Sequence, residues 1–368
     1  MDLASSSRIV IKIGSALVTD EQGHLHADWL KSLAEDVTAL RALGKEIIIV
    51  TSGAVALGRH TLGIKRKKLK LEEKQAAAAC GQVELIRHYK DIFSHHHIAT
   101  AQILLTIEDS ENRRRFLNAR GAMETLLKLG IIPVINENDT VATAELRFGD
   151  NDRLAARVAQ MTGSDVLVLL SDIDGLYTAN PQEDKTATLI PLVTEITAEI
   201  EQMAGISLSD VGTGGMITKI AAAKIAVSSG CHMVIAKGKT MHPLKALMEG
   251  AKCTWFTASA TPRAARKNWI AASLHHVGEV VIDDGALVAL TAGKSLLPAG
   301  VVSVSGQFSR GDAVAIKTKD NRTIGCGISA YSAENAAMIC GQHSRDIEKL
   351  LGFSGREELI HRDDLVIY

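Results

Sequence analysis

The sequence predicts an α/β protein: an open, three-layer domain with a mostly parallel sheet, followed by a small C-terminal β-barrel. Three observations carry this reading. Short apolar runs alternate with helical patterns over the first ~250 residues. Those runs are apolar continuously rather than in alternation, which suits strands covered on both faces. After residue 258 the pattern changes to short, closely spaced strands punctuated by glycine, without long intervening helices. The chain then divides into an α/β domain over 1–258, a linker over 259–277, a β-barrel domain over 278–356 and a C-terminal tail over 357–368.

In chain order, residues 9–13 form the first predicted strand and lead into Gly14 and Ser15. Residues 27–43 place Trp29, Leu30, Leu33, Val37 and Leu40 on one helical stripe, with Gly44 as the stop. The strand at 46–50 ends in Thr51-Ser52-Gly53-Ala54. Strands at 99–105 and 131–135 follow, the second ending in Asn136-Glu137-Asn138-Asp139. A helix over 152–161 precedes a strand at 166–170, which leads into Ser171-Asp172-Ile173-Asp174-Gly175. A helix over 213–229 precedes the strand at 232–235, which ends in Ala236-Lys237-Gly238. In open parallel sheets the ligand crevice lies outside the carboxyl ends of the strands. Five such ends rich in Gly, Ser, Asn, Asp and Lys predict one polar crevice. Beyond the small, basic connector at 258–266, strands are predicted at 279–282, 301–304 and 313–318, then a short helix at 346–351 and a charged end.

Composition narrows the function. The 41 Lys and Arg residues nearly balance the 42 Asp and Glu, for a formal net charge of −1, so no global field draws the chain of 368 residues to nucleic acid or membrane. No run approaches the roughly 20 apolar residues of a membrane helix. Residues 1–8 lack an apolar signal core. The five cysteines are scattered without a CxxC pair, which fits reduced thiols and a cytoplasmic location.

Gly212-Thr213-Gly214-Gly215-Met216-Ile217-Thr218-Lys219 opens a helix. Glycines allow close approach of backbone amides, and a helix N-terminus favours phosphate. The spacing is neither a Walker A loop nor a dinucleotide fingerprint, but Lys219 ends the first helical turn within reach of a phosphoryl oxygen. Lys12 interrupts an apolar strand, and a buried lysine without a partner costs several kcal/mol, so it belongs at the strand exit facing an anion. Gly149-Asp150-Asn151-Asp152 precedes a helix and adds acids and an amide to those of 136–139. Two lysines, backbone donors and nearby acids supply what phosphoryl transfer needs. His95–97, the basic cluster at 65–70 and Arg113–115 read as solvated surface. No Ser-His-Asp order or GxSxG elbow is present.

These motifs resemble the amino acid kinase family. The resemblance covers Lys12-Ile-Gly-Ser15, Val50-Thr-Ser-Gly-Ala54, Pro133-Val-Ile-Asn-Glu-Asn-Asp139, Gly149-Asp-Asn-Asp152, Ser171-Asp172 with Gly175-Leu-Tyr177, and Gly212 to Lys219. Within the family the similarity is to members that phosphorylate glutamate. Residues 278 to ~356 resemble a PUA domain through Leu296-Leu-Pro-Ala-Gly300, Val304-Ser-Gly306, Phe308-Ser-Arg-Gly-Asp312 and Gly325-Cys-Gly327.

The resemblance implies ATP-dependent transfer to the γ-carboxylate of L-glutamate, with ATP and Mg2+ as cofactors, as the first step of proline synthesis. It implies catalytic roles for Lys12, Lys219 and Asp152, the acid orienting the two lysines. ATP would be bound by Lys12, Gly14, Ser15, Ser171, Asp172, Thr213, Gly214, Gly215, Met216, Ile217, Thr218 and Lys219. Glutamate would be bound by Ser52, Gly53, Asn136, Asp139, Asp150 and Asn151, with Asp139 suited to the α-ammonium group. It assigns no direct metal ligand. It further implies a homo-oligomer, dimer or tetramer, proline as feedback inhibitor, and handover of the product to a γ-glutamyl phosphate reductase. Another small-carboxylate or carbamate kinase of the same fold is the alternative. PUA domains elsewhere bind RNA, but the near-zero net charge and 4% aromatic content argue for a structural or regulatory module here.

Overall fold

The computed structural model describes residues 2–20, 22–64, 69–142, 151–205, 215–272 and 276–368. Its chain clusters into two units, Met1–Pro262 and Arg263–Tyr368.

The first unit begins with β1 (Arg8–Ile13), α1 (Ser15–Val18), α2 (Ala27–Ala42), β2 (Glu46–Val50), α3 (Ala54–Thr61) and α4 (Leu71–Ser94). It continues through β3 (Thr100–Leu105), α5 (Ile107–Glu111), α6 (Arg113–Lys128), β4 (Ile132–Glu137), α7 (Asn151–Thr162) and β5 (Val166–Ser171). Then come the short strands β6 (Leu176–Tyr177), β7 (Leu189–Ile190) and β8 (Leu192–Val193), followed by α8 (Ala198–Gly205) and α9 (Met216–Ser228). It closes with β9 (His232–Lys237), α10 (Pro243–Met248) and β10 (Cys253–Phe256).

One sheet runs in the order β3-β4-β2-β1-β5-β9-β10-β8. The pairs from β3 to β9 are parallel, and β10 turns antiparallel to β9. Successive side chains of a strand face opposite ways, so each strand feeds two cores. Ile9, Ile11, Ile47, Ile49, Val168 and Val234 pack with Leu33, Val37 and Leu40 of α2 and with Leu85 and Tyr89 of α4. Val10, Ile48, Val50, Leu167, Leu169 and Met233 pack with Leu154 and Val158 of α7 and with Ile220 and Ala223 of α9. Those two cores make the three layers, and they explain why the strands read as unbroken apolar runs.

Several strands run further than their apolar residues. β4 includes Asn136 and Glu137, β5 includes Ser171, and β9 includes Ala236 and Lys237, all assigned to loops by the sequence reading. Backbone pairing carries them: Leu104 and Leu105 pair with Asn136 and Glu137, and Ser171 pairs with Lys237. The polar crevice is therefore built partly on sheet, which is stiffer than loop.

Helices α3 and α4 cross at two glycines. A Cβ on Gly58 would overlap the Ala77 carbonyl, and one on Gly81 would overlap the backbone of Ala54 and Gly58.

The second unit contains α11 (Pro262–Ala272), β11 (Gly278–Ile282), α12 (Asp284–Thr291), β12 (Val301–Gly306), β13 (Ala313–Thr318), β14 (Thr323–Ile328), α13 (Ala333–Ile339), α14 (Ile347–Leu351) and β15 (Leu365–Ile367). Its sheet runs β12-β11-β13-β14-β15. Among the described residues no pairing joins β12 to β15, so the sheet does not close as a complete barrel would. The stretches assigned to a linker and a tail are structured here. Residues 262–272 form α11, and the tail supplies β15, which pairs antiparallel with β14. Arg266 of α11 pairs with the buried Asp364 (Nη2 to Oδ1 2.5 Å), and Leu359, Ile360 and Leu365 enter the unit's core. Both differences have one cause: contacts between segments far apart in sequence, 98 residues for Arg266 and Asp364, hold stretches whose local pattern is weak.

No described helix is long and apolar enough to cross a membrane.

Gly81→Ala tests the α3–α4 crossing. It should destabilise the protein by about 1–3 kcal/mol through overpacking, read as a lower urea midpoint.

Candidate active site

Three elements of the first unit each deliver one charge to one point. Lys12 sits at the exit of β1, on the face shared with Val10 and therefore on the α7–α9 side of the sheet. Asp152 lies in the first turn of α7 and is fully buried. Lys219 lies in the first turn and a half of α9. Lys12 Nζ is 2.5 Å from Asp152 Oδ1, and Lys219 Nζ is 3.1 Å from Asp152 Oδ2. The lysine side chains are 9% and 6% exposed, so this is an ion triad withdrawn from water rather than a surface pair. Thr218 Oγ1 also points at Asp152 Oδ2, at 3.4 Å.

The electrostatics follow from counting these groups. Two ammonium ions share one carboxylate, so the triad carries a net charge of +1. The N-termini of α7 and α9 add the positive ends of two helix dipoles, each equivalent to about half a charge. Burying a charge costs several kcal/mol unless partners offset it, and Asp152 is a partner that both lysines share. The arrangement favours an anion that meets both lysines.

A second cluster adjoins the first. Asn151 Nδ2, with two hydrogens to give, lies 2.6 Å from Thr51 O, 2.7 Å from Ser52 Oγ and 2.9 Å from Asn136 Oδ1. Asn136, buried at the end of β4, donates from Nδ2 to Gln82 Oε1 of α4 at 2.8 Å. Thr51 is held from behind by the fully buried Tyr89 of α4, whose hydroxyl is 2.9 Å from Thr51 Oγ1. Burial raises the Tyr89 phenol well above its ordinary value, so it stays neutral and hydrogen bonded. Asn151 and Asp152 are consecutive, so the amide cluster and the ion triad hang on adjoining Cα atoms, ~3.8 Å apart.

The structure thus brings together Lys12, Asp152, Thr218 and Lys219 in one group and Ser52, Asn136 and Asn151 in the other. Gly53 caps the N-terminus of α3 at φ 106°, a left-handed conformation that favours glycine. Asp139 is half-buried just beyond β4. Ser171, at the end of β5, donates to Asp172 Oδ1 at 3.0 Å, and its carbonyl accepts from Gly238 N at 2.7 Å. Ser15 opens α1, and Met216 and Ile217 open α9, where Ile217 is 56% exposed, an unusual place for a large aliphatic side chain. Asp150, Thr213, Gly214 and the basic residues 65–68 lie outside the described residues.

Gly14 and Gly215 differ from Gly53. Their φ values are −69° and −68°, open to any residue. A Cβ on Gly14 would come no nearer than 3.8 Å to the Leu170 carbonyl, and one on Gly215 would meet nothing within 4 Å. Among the described residues neither backbone shape nor packing calls for glycine there. Glycine in such a place leaves room for a ligand to approach the backbone.

Residues the sequence reading passed over hold neighbouring segments in place. Trp29 read only as part of an apolar stripe, yet its indole N–H donates to Gly238 O (2.7 Å) and Thr240 O (3.1 Å) beyond β9. Asp36, buried in α2, accepts from Leu244 N and Lys245 N and so caps α10 from outside its own chain segment. Gln82 and Tyr89 carried no sequence signal beyond their helix. An indole in a helix stripe could have been flagged for its polar tip.

Comparison with known proteins agrees with this architecture. Residues 7–237 match the amino acid kinase family, and residues 278–351 match the PUA domain. A glutamate 5-kinase from Paramagnetospirillum magneticum is 57% identical over 366 residues, spanning 99% of both chains. A glutamate 5-kinase from Agrobacterium fabrum is 56% identical over 365 residues, 99% of this chain and 94% of the relative. A carbamate kinase from Giardia lamblia bound to AMP-PNP shares the fold, with a TM-score of 0.51 at 14% identity over 70% of this chain and 100% of that one.

Gly14→Ala and Gly215→Ala should both retain the parental melting temperature while weakening AMP-PNP binding about tenfold in calorimetric titration, a loss near 1.4 kcal/mol. Unchanged affinity in both would show that no ligand approaches these two positions closely.

Proposed function

The chain belongs to the amino acid kinase family, and from that premise we propose that it transfers the γ-phosphoryl group of ATP to the γ-carboxylate of L-glutamate, giving γ-glutamyl phosphate and ADP. This is the first step of proline synthesis from glutamate. The junction at Asn151 and Asp152 carries the reading: a cation pair suited to a phosphoryl group adjoins an amide and hydroxyl cluster suited to a carboxylate. The choice of glutamate as acceptor rests on the two relatives of full length.

The chemistry asks for positioning and charge rather than a base. The γ-carboxylate is already ionised near pH 7. One of its oxygens attacks the γ-phosphorus in line, the bond to the β–γ bridging oxygen breaks, and ADP leaves with that electron pair. Negative charge spreads over the moving phosphoryl oxygens, and Lys12 and Lys219 offset it from positions that need no rearrangement. Asp152 orients both ammonium groups. Ser52, Asn136 and Asn151 hold glutamate, Asp139 pairs with its α-ammonium group, and Asp150 lines the same site. ATP lies against Gly14, Ser15, Ser171, Asp172 and the start of α9 from Thr213 to Lys219.

Among the described residues no group of three or more His, Cys, Asp or Glu could hold a metal ion. Mg2+ commonly binds through substrate phosphates and water, and the donors present fit an ion that arrives in that form. When bound it supplies further neutralisation of phosphate charge.

The rest of the reading is broader in its support. The low net charge and the paucity of aromatic residues favour a structural or regulatory role for the PUA unit over RNA binding. A cytoplasmic location, a homo-oligomeric state, feedback inhibition by proline and handover of the labile acyl phosphate to a reductase complete the proposal.

Purified protein with ATP, Mg2+ and glutamate should release ADP and, with hydroxylamine present, form γ-glutamyl hydroxamate. Absence of any glutamate-dependent product would overturn the assignment. Lys219→Ala should fold normally and lose kcat by about 10²–10³-fold, as removal of one fixed donor to transition-state charge does elsewhere. A fully active Lys219→Ala enzyme would remove this lysine from the mechanism.

A further inference from the structure

We propose that Gln82 is a positioning residue for the acceptor substrate: by accepting from Asn136 it holds the amide that meets Asn151 and, through Asn151, the Ser52 hydroxyl. The inference rests on the kinase reading above and deepens it.

The argument starts from a backbone atom. Thr51 O can only accept, so the Asn151 amide atom 2.6 Å from it must be the NH2 group. That fixes the Asn151 side chain. The same NH2 group lies 2.9 Å from Asn136, which must therefore turn its oxygen toward it. Asn136 then has only its own NH2 group to offer on the other side, and Gln82 must meet it with an oxygen, as it does at 2.8 Å. Ser52 Oγ lies 2.7 Å from the same NH2 group, whose two hydrogens are shared among three acceptors. That nitrogen cannot accept, so the single Ser52 hydroxyl hydrogen is directed to another group. A carboxylate of the acceptor, which can only accept when ionised, is the complementary partner.

Gln82 therefore acts at a distance from the substrate. It sits on α4 next to Gly81, whose missing side chain allows α4 to lie against α3. This close crossing brings a helix side chain within reach of the end of β4. If position 82 offered no acceptor, the Asn136 amide would lose a reason to keep its orientation. A flipped Asn136 would face Asn151 with NH2 against NH2 and press that amide away from its place beside Ser52. The relay bears on the side chains of Asn136, Asn151 and Ser52, so the effect falls on the acceptor side.

The test compares two variants of nearly equal size. Gln82→Met removes the acceptor, and Gln82→Glu keeps an accepting oxygen at the same reach. With the hydroxamate assay, Gln82→Met should raise the KM for glutamate about tenfold with the KM for ATP unchanged. Gln82→Glu should stay within about threefold of the parent for both substrates. The parent protein is assayed alongside: if it forms no glutamate-dependent product, the kinase reading fails, whatever position 82 does. If the parent is active and Gln82→Met leaves the glutamate KM unchanged, the positioning role is overturned. Equal rises in both KM values for Gln82→Met would mean a general structural role and overturn it as well. A Gln82→Glu enzyme as impaired toward glutamate as Gln82→Met would overturn the polarity argument.

Discussion

One carboxylate organises the first unit. Asp152 is buried, and two lysines converge on it from different elements, at 2.5 Å and 3.1 Å. Neither lysine could be held in such a dry place without an anion, because the desolvation of an isolated ammonium ion would exceed most of a domain's net stability. The fold supplies the anion from α7 and the cations from β1 and α9. β1 lies between β2 and β5, so Lys12 emerges at the middle of the sheet rather than at its edge. The helices whose first turns carry Asp152 and Lys219 pack side by side on the same face of that sheet. The two cores beneath and above the sheet can be seen as the means of holding three charges in fixed register.

From Asp152 the acceptor side follows by one peptide unit. Asn151 cannot move independently of Asp152, since both belong to the first turn of α7. The amide network around Asn151 is thus referenced to the same helix that orients the lysines. In-line transfer requires donor and acceptor to be placed against each other, and sharing a helical turn achieves this without a flexible segment between them. Helix α4 backs the arrangement from the opposite side through Gln82 and Tyr89.

Much of this was legible in the sequence, for reasons that differ between elements. The strands of the first unit were readable because both faces are covered, which leaves unbroken apolar runs such as 46–50 and 166–170. Lys12 was readable because a lone cation in such a run must have a partner. Asp152 and Lys219 were legible as residues of helix starts, but their meeting at one point was a matter of tertiary geometry. Gln82 was not legible. It follows a run of alanines and a glycine on a long helix, where a polar side chain ordinarily faces water. Its role comes from the crossing of α3 and α4, which depends on two glycines in different elements. In the second unit, α11 and β15 escaped for a related reason, because Arg266 and Asp364 find each other only after the chain has folded.

The glycines show how a sequence motif mixes two kinds of requirement. Gly53, Gly58 and Gly81 are demanded by the chain itself, the first by its left-handed backbone and the others by helix contact. Gly14 and Gly215 are demanded by neither, although they lie in the motifs that most strongly suggest phosphate. A glycine whose conformation and surroundings would both accept a side chain leaves the space beside it open. Both such positions stand at the entry to a short stretch that carries or follows one of the two lysines. The open space and the two lysines that meet at Asp152 therefore lie at the same strand and helix ends. An anion with several oxygens, able to touch backbone at Gly14 and Gly215 while meeting both ammonium groups, satisfies the two conditions together.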